Sequence, residues 1–141
     1  MILYVDTSAF LKLYIEEEGS RVIEREALGT RILTTSALAY VEMRSALARA
    51  LRGRRLTSAS YATSLEAFES RWSTISAVAV DGDIIREAGA LAEKHGLRGS
   101  DAVHLASALL TRHLSGGDIV FSAWDAPLST AASQEGLRLA H

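Results

Sequence analysis

Four acidic residues fall where the sequence predicts that strands end or helices begin, which is where sites form in α/β proteins. Asp6 follows one short apolar run, and Asp125 closely follows another at residues 119–121. Asp101 opens a helix-like stretch, and Glu42 lies inside a second one that is otherwise apolar. Four carboxylates that met in one place would repel one another, by about 4 kcal/mol per close pair at an effective dielectric of 20. Such a cluster would be tolerable mainly if it held a divalent cation.

Three of these acids also fit a simpler role at the start of a helix. Aspartate is a favoured N-cap, and Asp6, Asp101 and Asp125 each lie beside residues that suit a helix start. Glu42 is harder to explain in this way. The nearest charged residue, Arg44, lies two positions away on another face of the helix, and no cation occupies the positions that could pair with Glu42. Glu42 therefore needs a partner from elsewhere, and a metal ion would be one.

The available ligand types restrict which ion could bind. The chain has no cysteine, which excludes thiolate ligands, and carboxylate oxygens favour Mg²⁺ or Mn²⁺ over zinc. Mg²⁺ usually takes only one or two carboxylates directly and keeps several waters. Four acids could thus serve one ion partly through water, or two ions about 3.5–4 Å apart. Either arrangement predicts metal-assisted hydrolysis of a phosphodiester bond.

The composition is typical of a globular protein. The 141 residues include 48% hydrophobic and 23% charged residues, without an internal repeat or linker, so we expect a single domain over residues 1–141. No apolar run approaches the roughly 18 residues that a transmembrane helix needs. Asp6 also interrupts the apolar N-terminal segment, which argues against a signal peptide. We therefore expect a soluble cytoplasmic protein that does not interact with membranes.

Short β-like runs alternate with amphipathic helices, a pattern that predicts a parallel sheet with helices on its faces. Glycines, prolines and capping residues mark the boundaries between them. The predicted strands are residues 2–5, 31–34, 77–80, 118–121 and 137–140. The predicted helices span about residues 8–15, 20–28, 36–51, 58–72, 81–95, 100–114 and 125–136.

The charges are unevenly distributed, although the net charge is only −2. Residues 43–65 contain no acidic residue but five arginines, which are Arg44, Arg49, Arg52, Arg54 and Arg55. A local patch of this kind can bind phosphate groups even on a slightly acidic protein. The alternative is a solvated helix end, since cations suit the C-terminus of a helix. The sequence alone leaves both interpretations open.

Four segments together resemble a known family: ILYVDTSA at residues 2–9, TSALAYVE at 35–42, GSDAVHLA at 99–106 and FSAWD at 121–125. Each segment is weakly specific alone. The ordered set spans nearly the whole chain and resembles the PIN-domain ribonucleases, most closely the VapC-like toxins of bacterial toxin–antitoxin pairs. The resemblance implies a PIN-like three-layer α/β/α fold with a central twisted parallel sheet. It also implies Mg²⁺-dependent endoribonuclease activity, inhibition by a cognate antitoxin and frequent homodimerisation.

Carried over residue by residue, the resemblance assigns the metal site to Asp6, Glu42 and Asp101, and a fourth acidic position to Asp125. The match at Asp125 is looser. Many family members have Ser or Thr two residues before this aspartate, where this chain has Ala123. Asp125 would then act through water or only cap its helix.

Four further residues are candidates for supporting roles. Ser8 matches a hydroxyl position beside the first aspartate of the family, and a role at the start of a helix fits it equally well. His104 lies one helical turn beyond Asp101, close enough to hydrogen-bond to it, and is either catalytic support or a satisfied core residue. Arg98 is a candidate phosphate contact. Trp124 could stack on an unpaired base or pack in the core.

These observations predict an endoribonuclease that cleaves RNA by metal-activated water. Single-stranded loops are the expected target, because their unstacked bases are accessible. The alternative from another class is a PIN-like module that binds RNA or a protein without cleaving. Loss of a metal ligand would favour that module, and none of the three principal acids is missing from the sequence.

Overall fold

The computed structural model describes residues 1–30 and 32–141, which form an alternating arrangement of strands and helices. The strands are β1 (Ile2–Val5), β2 (Ile32–Thr34), β3 (Ile119–Ser122) and β4 (Arg138–Leu139). The helices are α1 (Thr7–Leu11), α2 (Ser20–Leu28), α3 (Leu38–Arg52), α4 (Ser58–Trp72), α5 (Gly82–His95), α6 (Gly99–Ser115) and α7 (Ala126–Gln134). The predicted α/β class is confirmed, and α2 and α4 match their predicted bounds at both ends.

A parallel four-stranded sheet in the order β2-β1-β3-β4 forms the central layer. Alternate side chains of β1 face opposite sides, so that Leu3 and Val5 join one apolar cluster and Tyr4 joins the other. Helices α1 to α4 pack on the side of Leu3 and Val5, and helices α5 to α7 on the side of Tyr4. The predicted three-layer α/β/α fold is therefore confirmed. Covering both faces of the sheet is what makes its central strands so apolar.

The chain leaves the two central strands towards opposite faces of the sheet. After β1 it enters α1 and α2 on one face, whereas after β3 it enters α7 on the other. The segments that follow β1 and β3 therefore diverge and open a crevice beyond the C-terminal ends of these strands. Ligand sites in parallel α/β sheets form at such a point. Asp6 directly follows β1 and Asp125 follows β3, so both residues belong to this crevice.

Helix α6 brings a third acid to the same crevice. The helix is 17 residues long, and its residues 102–108 are all buried. Asp101 lies in its first turn, so the packing of α6 against the sheet and α5 determines where this carboxylate lies. No helix in the described part of the chain, α6 included, is long and apolar enough to cross a bilayer.

The first helix is shorter than predicted. Residues 8–15 were expected to be helical, but α1 ends at Leu11. The N–H groups of residues 12–14 bond to the carbonyl three residues earlier instead of four, so the chain tightens into turns. The apolar pattern of this segment continues past the helix because the turns still pack into the core, as Ile15 does.

The predicted strand at residues 77–80 is wrong. Among the described residues, an isolated bridge between Val78 and Ser36 is the pairing found there. A longer ladder cannot form, because the chain enters α3 soon after Ser36 and Asp81 already caps α5. Of the strand predicted at residues 31–34, β2 comprises the last three residues, and Arg31 lies outside the described residues.

Gly19, which directly precedes α2, has a backbone conformation and a close contact that both disfavour a side chain. Its φ is +91°, in the left-handed region that glycine adopts most easily. A Cβ at this position would lie 2.7 Å from the indole ring of Trp124. Glycine therefore allows α2 to begin in close contact with the segment that follows β3.

We expect Gly19→Ala to lower the free energy of unfolding by about 2–4 kcal/mol, because backbone strain and overpacking against the indole add together. Gly116→Ala is the matched control. Gly116 has a φ of +74°, but a Cβ there would meet nothing within 4 Å. The control should cost only the backbone part, about 1 kcal/mol. Urea unfolding of both variants tests this, and equal losses would mean that Trp124 moves aside freely.

Candidate active site

The crevice beyond β1 and β3 is a pocket of about 550 Å³ that all four predicted acids line. Its other lining residues are Thr7, Ser8, Val41, Ser45, Ala46, Arg49, Arg98, Ser100, His104 and Trp124. The acids come from four places in the chain: the end of β1, the middle of α3, the first turn of α6 and the N-cap of α7. The fold therefore brings together four acids that lie far apart in the sequence.

Asp6 is buried, and the first turn of α1 binds its carboxylate. Its carboxylate accepts the Ala9 N–H at 2.9 Å, as an N-cap does, and the Ser8 hydroxyl lies 2.7 and 2.8 Å from its two oxygens. Burial raises the pKa of Asp6, and the nearby charge of Asp101 acts in the same direction. His104 and the two donors lower the pKa but do not outweigh burial. Asp6 therefore caps α1 and also lines the pocket, where burial disfavours the charged form of its carboxylate.

Glu42 finds the distant partners that the sequence required. Its Oε1 accepts the Thr7 hydroxyl at 2.6 Å and lies 2.8 Å from Nε2 of His104. Partial burial acts to raise the pKa of Glu42, but the hydrogen bonds from His104 and Thr7 outweigh it, so the pKa is lowered. The hydrogen bond expected between His104 and Asp101 is not found among the described residues. The His104 ring instead contacts Tyr4 in β1, Thr7 in α1 and Glu42 in α3.

Arg98 forms ion pairs with both of the remaining acids. Its Nε lies 3.0 Å from Oδ2 of Asp101, and its Nη2 lies 3.3 Å from Oδ2 of Asp125. The other oxygen of Asp125 accepts the Leu128 N–H at 3.0 Å, so this residue caps α7 and faces the pocket at once. The Arg98 side chain is 75% exposed, which leaves it free to exchange partners.

The pocket suits a divalent cation in its donors and its location. The candidate ligands are carboxylates, and a cation would relieve the repulsion between Asp6 and Asp101. In the arrangement seen here, each carboxylate is already bound to a protein group. Within residues 1–30 and 32–141, no three His, Asp or Glu side chains are grouped so that they could hold one ion together. Binding by three of them therefore requires side-chain movement, in which Arg98 would release its acids.

The five arginines of residues 43–65 do not form one patch. Arg49 lines the pocket. Arg44 pairs with Glu69 of α4 at 3.0 Å, and Arg55 pairs with Glu17 at 2.8 Å. Arg52 and Arg54 are exposed near the end of α3 and do not line the pocket.

Trp124 lines the pocket, but its ring is largely enclosed by the protein. The His141 ring lies against it at 3.8 Å between centroids, and the Lys12 ammonium lies 5.0 Å from its centroid. Gly19 closes on its edge. These contacts favour the packing role over stacking on a base.

Two residues of the site were not anticipated from the sequence. Thr7 donates to Glu42, and the buried Tyr4 hydroxyl lies 3.0 Å from Nδ1 of His104. The sequence did contain a sign of these polar roles, because Tyr4 interrupts an aliphatic strand and Thr7 directly follows Asp6. Their partners are 100 and 35 residues away along the chain, so the contacts could only be found from the fold.

Comparison with known proteins agrees with this architecture. The model of the PIN domain family matches residues 3–121 of the chain. Ribonuclease VapC45 of Mycobacterium tuberculosis strain CDC 1551 / Oshkosh is 40% identical over 141 residues, which cover 99% of this chain and 94% of that protein. Ribonuclease VapC49 of strain H37Rv has the same identity and coverage. The chain therefore belongs to the PIN domain family, and within it to the VapC-like proteins.

Proposed function

We propose that this chain is a Mg²⁺-dependent endoribonuclease and the toxin component of a VapBC-type toxin–antitoxin pair. One observation carries the proposal, which is that the carboxylates of Asp6, Glu42, Asp101 and Asp125 line a single pocket beyond the C-terminal ends of the two central strands. The family membership, and the name ribonuclease carried by both VapC relatives, support it. Mn²⁺ should substitute for Mg²⁺, since both ions prefer oxygen ligands.

In this proposal Asp6 and Asp101 bind the ion directly, and Glu42 binds it directly or through water. When bound, the ion supplies a Lewis acid that activates water and stabilises charge on the phosphodiester. The protein's own contribution is to hold the carboxylates in place. Ser8 and the Ala9 N–H orient Asp6, which is already bound in this way in the structure. Asp125 acts through water or as the cap of α7.

Arg49 and Arg98 are the strongest candidates for holding the RNA backbone, because both line the same pocket as the acids. Arginine presents several donors in a plane and suits phosphate oxygens. The arginines outside the pocket, Arg44, Arg52, Arg54 and Arg55, would extend this contact only if the RNA continued over α3. A single-stranded substrate, whose bases are accessible, suits the crevice better than a rigid duplex does.

The proposed partner is a small cognate antitoxin that inhibits the enzyme at this pocket. Arg98 demonstrates that a guanidinium can satisfy Asp101 and Asp125 together. An arginine or lysine of the partner could neutralise the acids in the same manner, in place of metal. A homodimer, which is frequent in the family, is also part of the proposal.

The most direct test is Asp6→Asn, which is nearly isosteric and removes one charge from a buried, repulsive site. Without metal the variant should be as thermally stable as the wild type or more so. Stabilisation by Mg²⁺ should fall sharply, and RNA cleavage should fall by more than about 100-fold, beyond what loss of a supporting residue costs. Thermal unfolding with and without Mg²⁺ and cleavage of a single-stranded RNA measure these effects.

Two further variants separate the charge of Asp6 from its capping role. Asp6→Ala removes the cap as well and should cost about 0.5–2 kcal/mol of stability. Asp81→Asn is the matched control, because Asp81 caps α5 through the Ile84 N–H and is exposed outside the pocket. That control should leave cleavage unchanged. Cleavage by purified Asp6→Asn at the wild-type rate would refute the carboxylate–metal mechanism, and RNA binding without any cleavage by the wild type would support the non-cleaving module.

The role of Arg49 can be tested against Arg44, which lies on the same helix but pairs with Glu69 away from the pocket. Arg49→Gln should weaken RNA binding and reduce the slope of log affinity against log salt by about 0.7, the value for one phosphate contact on a single strand. Arg44→Gln should leave the slope nearly unchanged. Fluorescence anisotropy over a salt series measures both. If both variants gave the same slope, Arg49 would not be a phosphate contact.

The antitoxin is expected to be encoded by a short reading frame beside the gene for this chain. Co-expression should yield a complex that elutes together in size-exclusion chromatography and should restore the growth of cells that express this chain. Asp101→Asn, which weakens the acidic side of the pocket, should reduce the affinity of the complex if a partner cation binds there. A neighbouring protein that neither co-elutes nor restores growth would contradict the toxin–antitoxin assignment.

A further inference from the structure

His104 is a buried polar residue whose two ring nitrogens both have protein partners. It lies in the middle of α6 with 2% of its side chain exposed. Nδ1 lies 3.0 Å from the hydroxyl of Tyr4 in β1, and Nε2 lies 2.8 Å from Oε1 of Glu42 in α3. The ring therefore connects the core of the sheet to a pocket carboxylate, and the proposed roles of the acids do not account for it.

The partners determine which ring nitrogen carries the proton. A carboxylate oxygen can only accept a hydrogen bond, so Nε2 must carry the hydrogen that lies between it and Glu42. Tyr4 is fully buried, and burial raises the pKa of its hydroxyl, so the hydroxyl keeps its proton and can donate. Nδ1 can then accept from Tyr4 while Nε2 donates to Glu42. The hydrogen bonds therefore run in one direction, from the Tyr4 hydroxyl through the His104 ring to the Glu42 carboxylate.

The same oxygen of Glu42 receives a second donor. The Thr7 hydroxyl donates to Oε1 at 2.6 Å, and Nε2 of His104 lies 3.2 Å from the same hydroxyl. Two donors converge on Oε1, whereas no protein group in the described part of the chain donates to Oε2. The carboxylate is therefore oriented with one oxygen held by the protein and the other available to a ligand in the pocket.

We propose that His104 is a positioning residue of the active site: held by Tyr4, it fixes Glu42 so that Oε2 remains available for the ligands of the pocket. The inference rests on the proposed function, because it assigns His104 to the same site. It differs from a purely structural role in one respect. A structural histidine needs only to be packed and satisfied, whereas a positioning histidine must donate from Nε2 to a carboxylate. Residues that orient ligands in this way typically contribute about 10- to 100-fold to metal affinity or activity.

The test compares His104→Leu with His104→Gln. Leucine fills the buried site without a donor, whereas the terminal amide of glutamine can donate from a position close to Nε2 of the imidazole. His104→Leu should bind Mn²⁺ about 10- to 100-fold more weakly by isothermal titration calorimetry and should lose cleavage to a similar extent. His104→Gln should recover most of both. His113→Leu is the matched control, because His113 is exposed at the far end of the same helix, and it should change neither.

A second measurement does not depend on metal, on cleavage or on the folding of a variant. In ¹⁵N-detected or long-range ¹H–¹⁵N spectra of the wild-type protein, Nε2 of His104 should carry a proton. A ring whose proton lies on Nδ1 and not on Nε2 would overturn the inference. So would a folded His104→Leu variant that binds Mn²⁺ and cleaves RNA as the wild type does, an outcome that leaves the proposed function intact. Failure of the proposed function would instead appear in the wild type, as an absence of both Mn²⁺ binding and cleavage.

Discussion

Holding four carboxylates in one pocket is the constraint on which the rest of the site depends. At Asp6, burial is the main cause that disfavours the charged carboxylate, and the nearby charge of Asp101 adds to it. The protein offsets such costs with three devices. The first turn of α1 donates to Asp6, and Thr7 and His104 donate to Glu42. Arg98 binds both Asp101, in the first turn of α6, and Asp125, the N-cap of α7.

These devices divide the pocket into a fixed side and an exchangeable side. On the fixed side, His104 is 2% exposed, and its partner Tyr4 stacks on Phe121 in the core with 5.6 Å between ring centroids. A buried and fully satisfied polar network of this kind resists rearrangement. On the other side, Arg98 is 75% exposed, and exposed ion pairs contribute little to stability. A cation can therefore replace Arg98 at its two carboxylates, or a phosphate can replace those carboxylates on Arg98, without disturbing the core. Displacing His104 would instead disrupt β1, α3 and α6 together.

The sequence was sufficient for what depends on local pattern and insufficient for what depends on contacts between distant segments. The bounds of α4 follow from its cap and its apolar period, and Asp6 was expected at the pocket because it ends an apolar strand. The partner of His104 was mistaken, because Asp101, one turn away, is the only acidic residue that helical spacing places near it. Its actual partner, Glu42, is 62 residues away. The false strand at residues 77–80 arose in the same way, since β-like residues do not reveal whether a neighbouring strand has room to pair.

The arginines illustrate why position, and not pairing, decides which charges matter for binding an anion. Arg44 and Arg55 have acidic partners in the structure, whereas the hydrogen bond found for Arg49 among the described residues goes to the Ser45 hydroxyl. This difference at first suggests that Arg49 is freer to bind an anion than Arg44 or Arg55. Exposed pairs of this type are weak and screened by salt, so a polyanion could displace them easily. An acidic partner therefore does not prevent Arg44 from binding a phosphate. The better reason to set Arg44 apart is its position outside the acidic pocket, because a phosphate held by Arg49 would lie in the pocket that the carboxylates line.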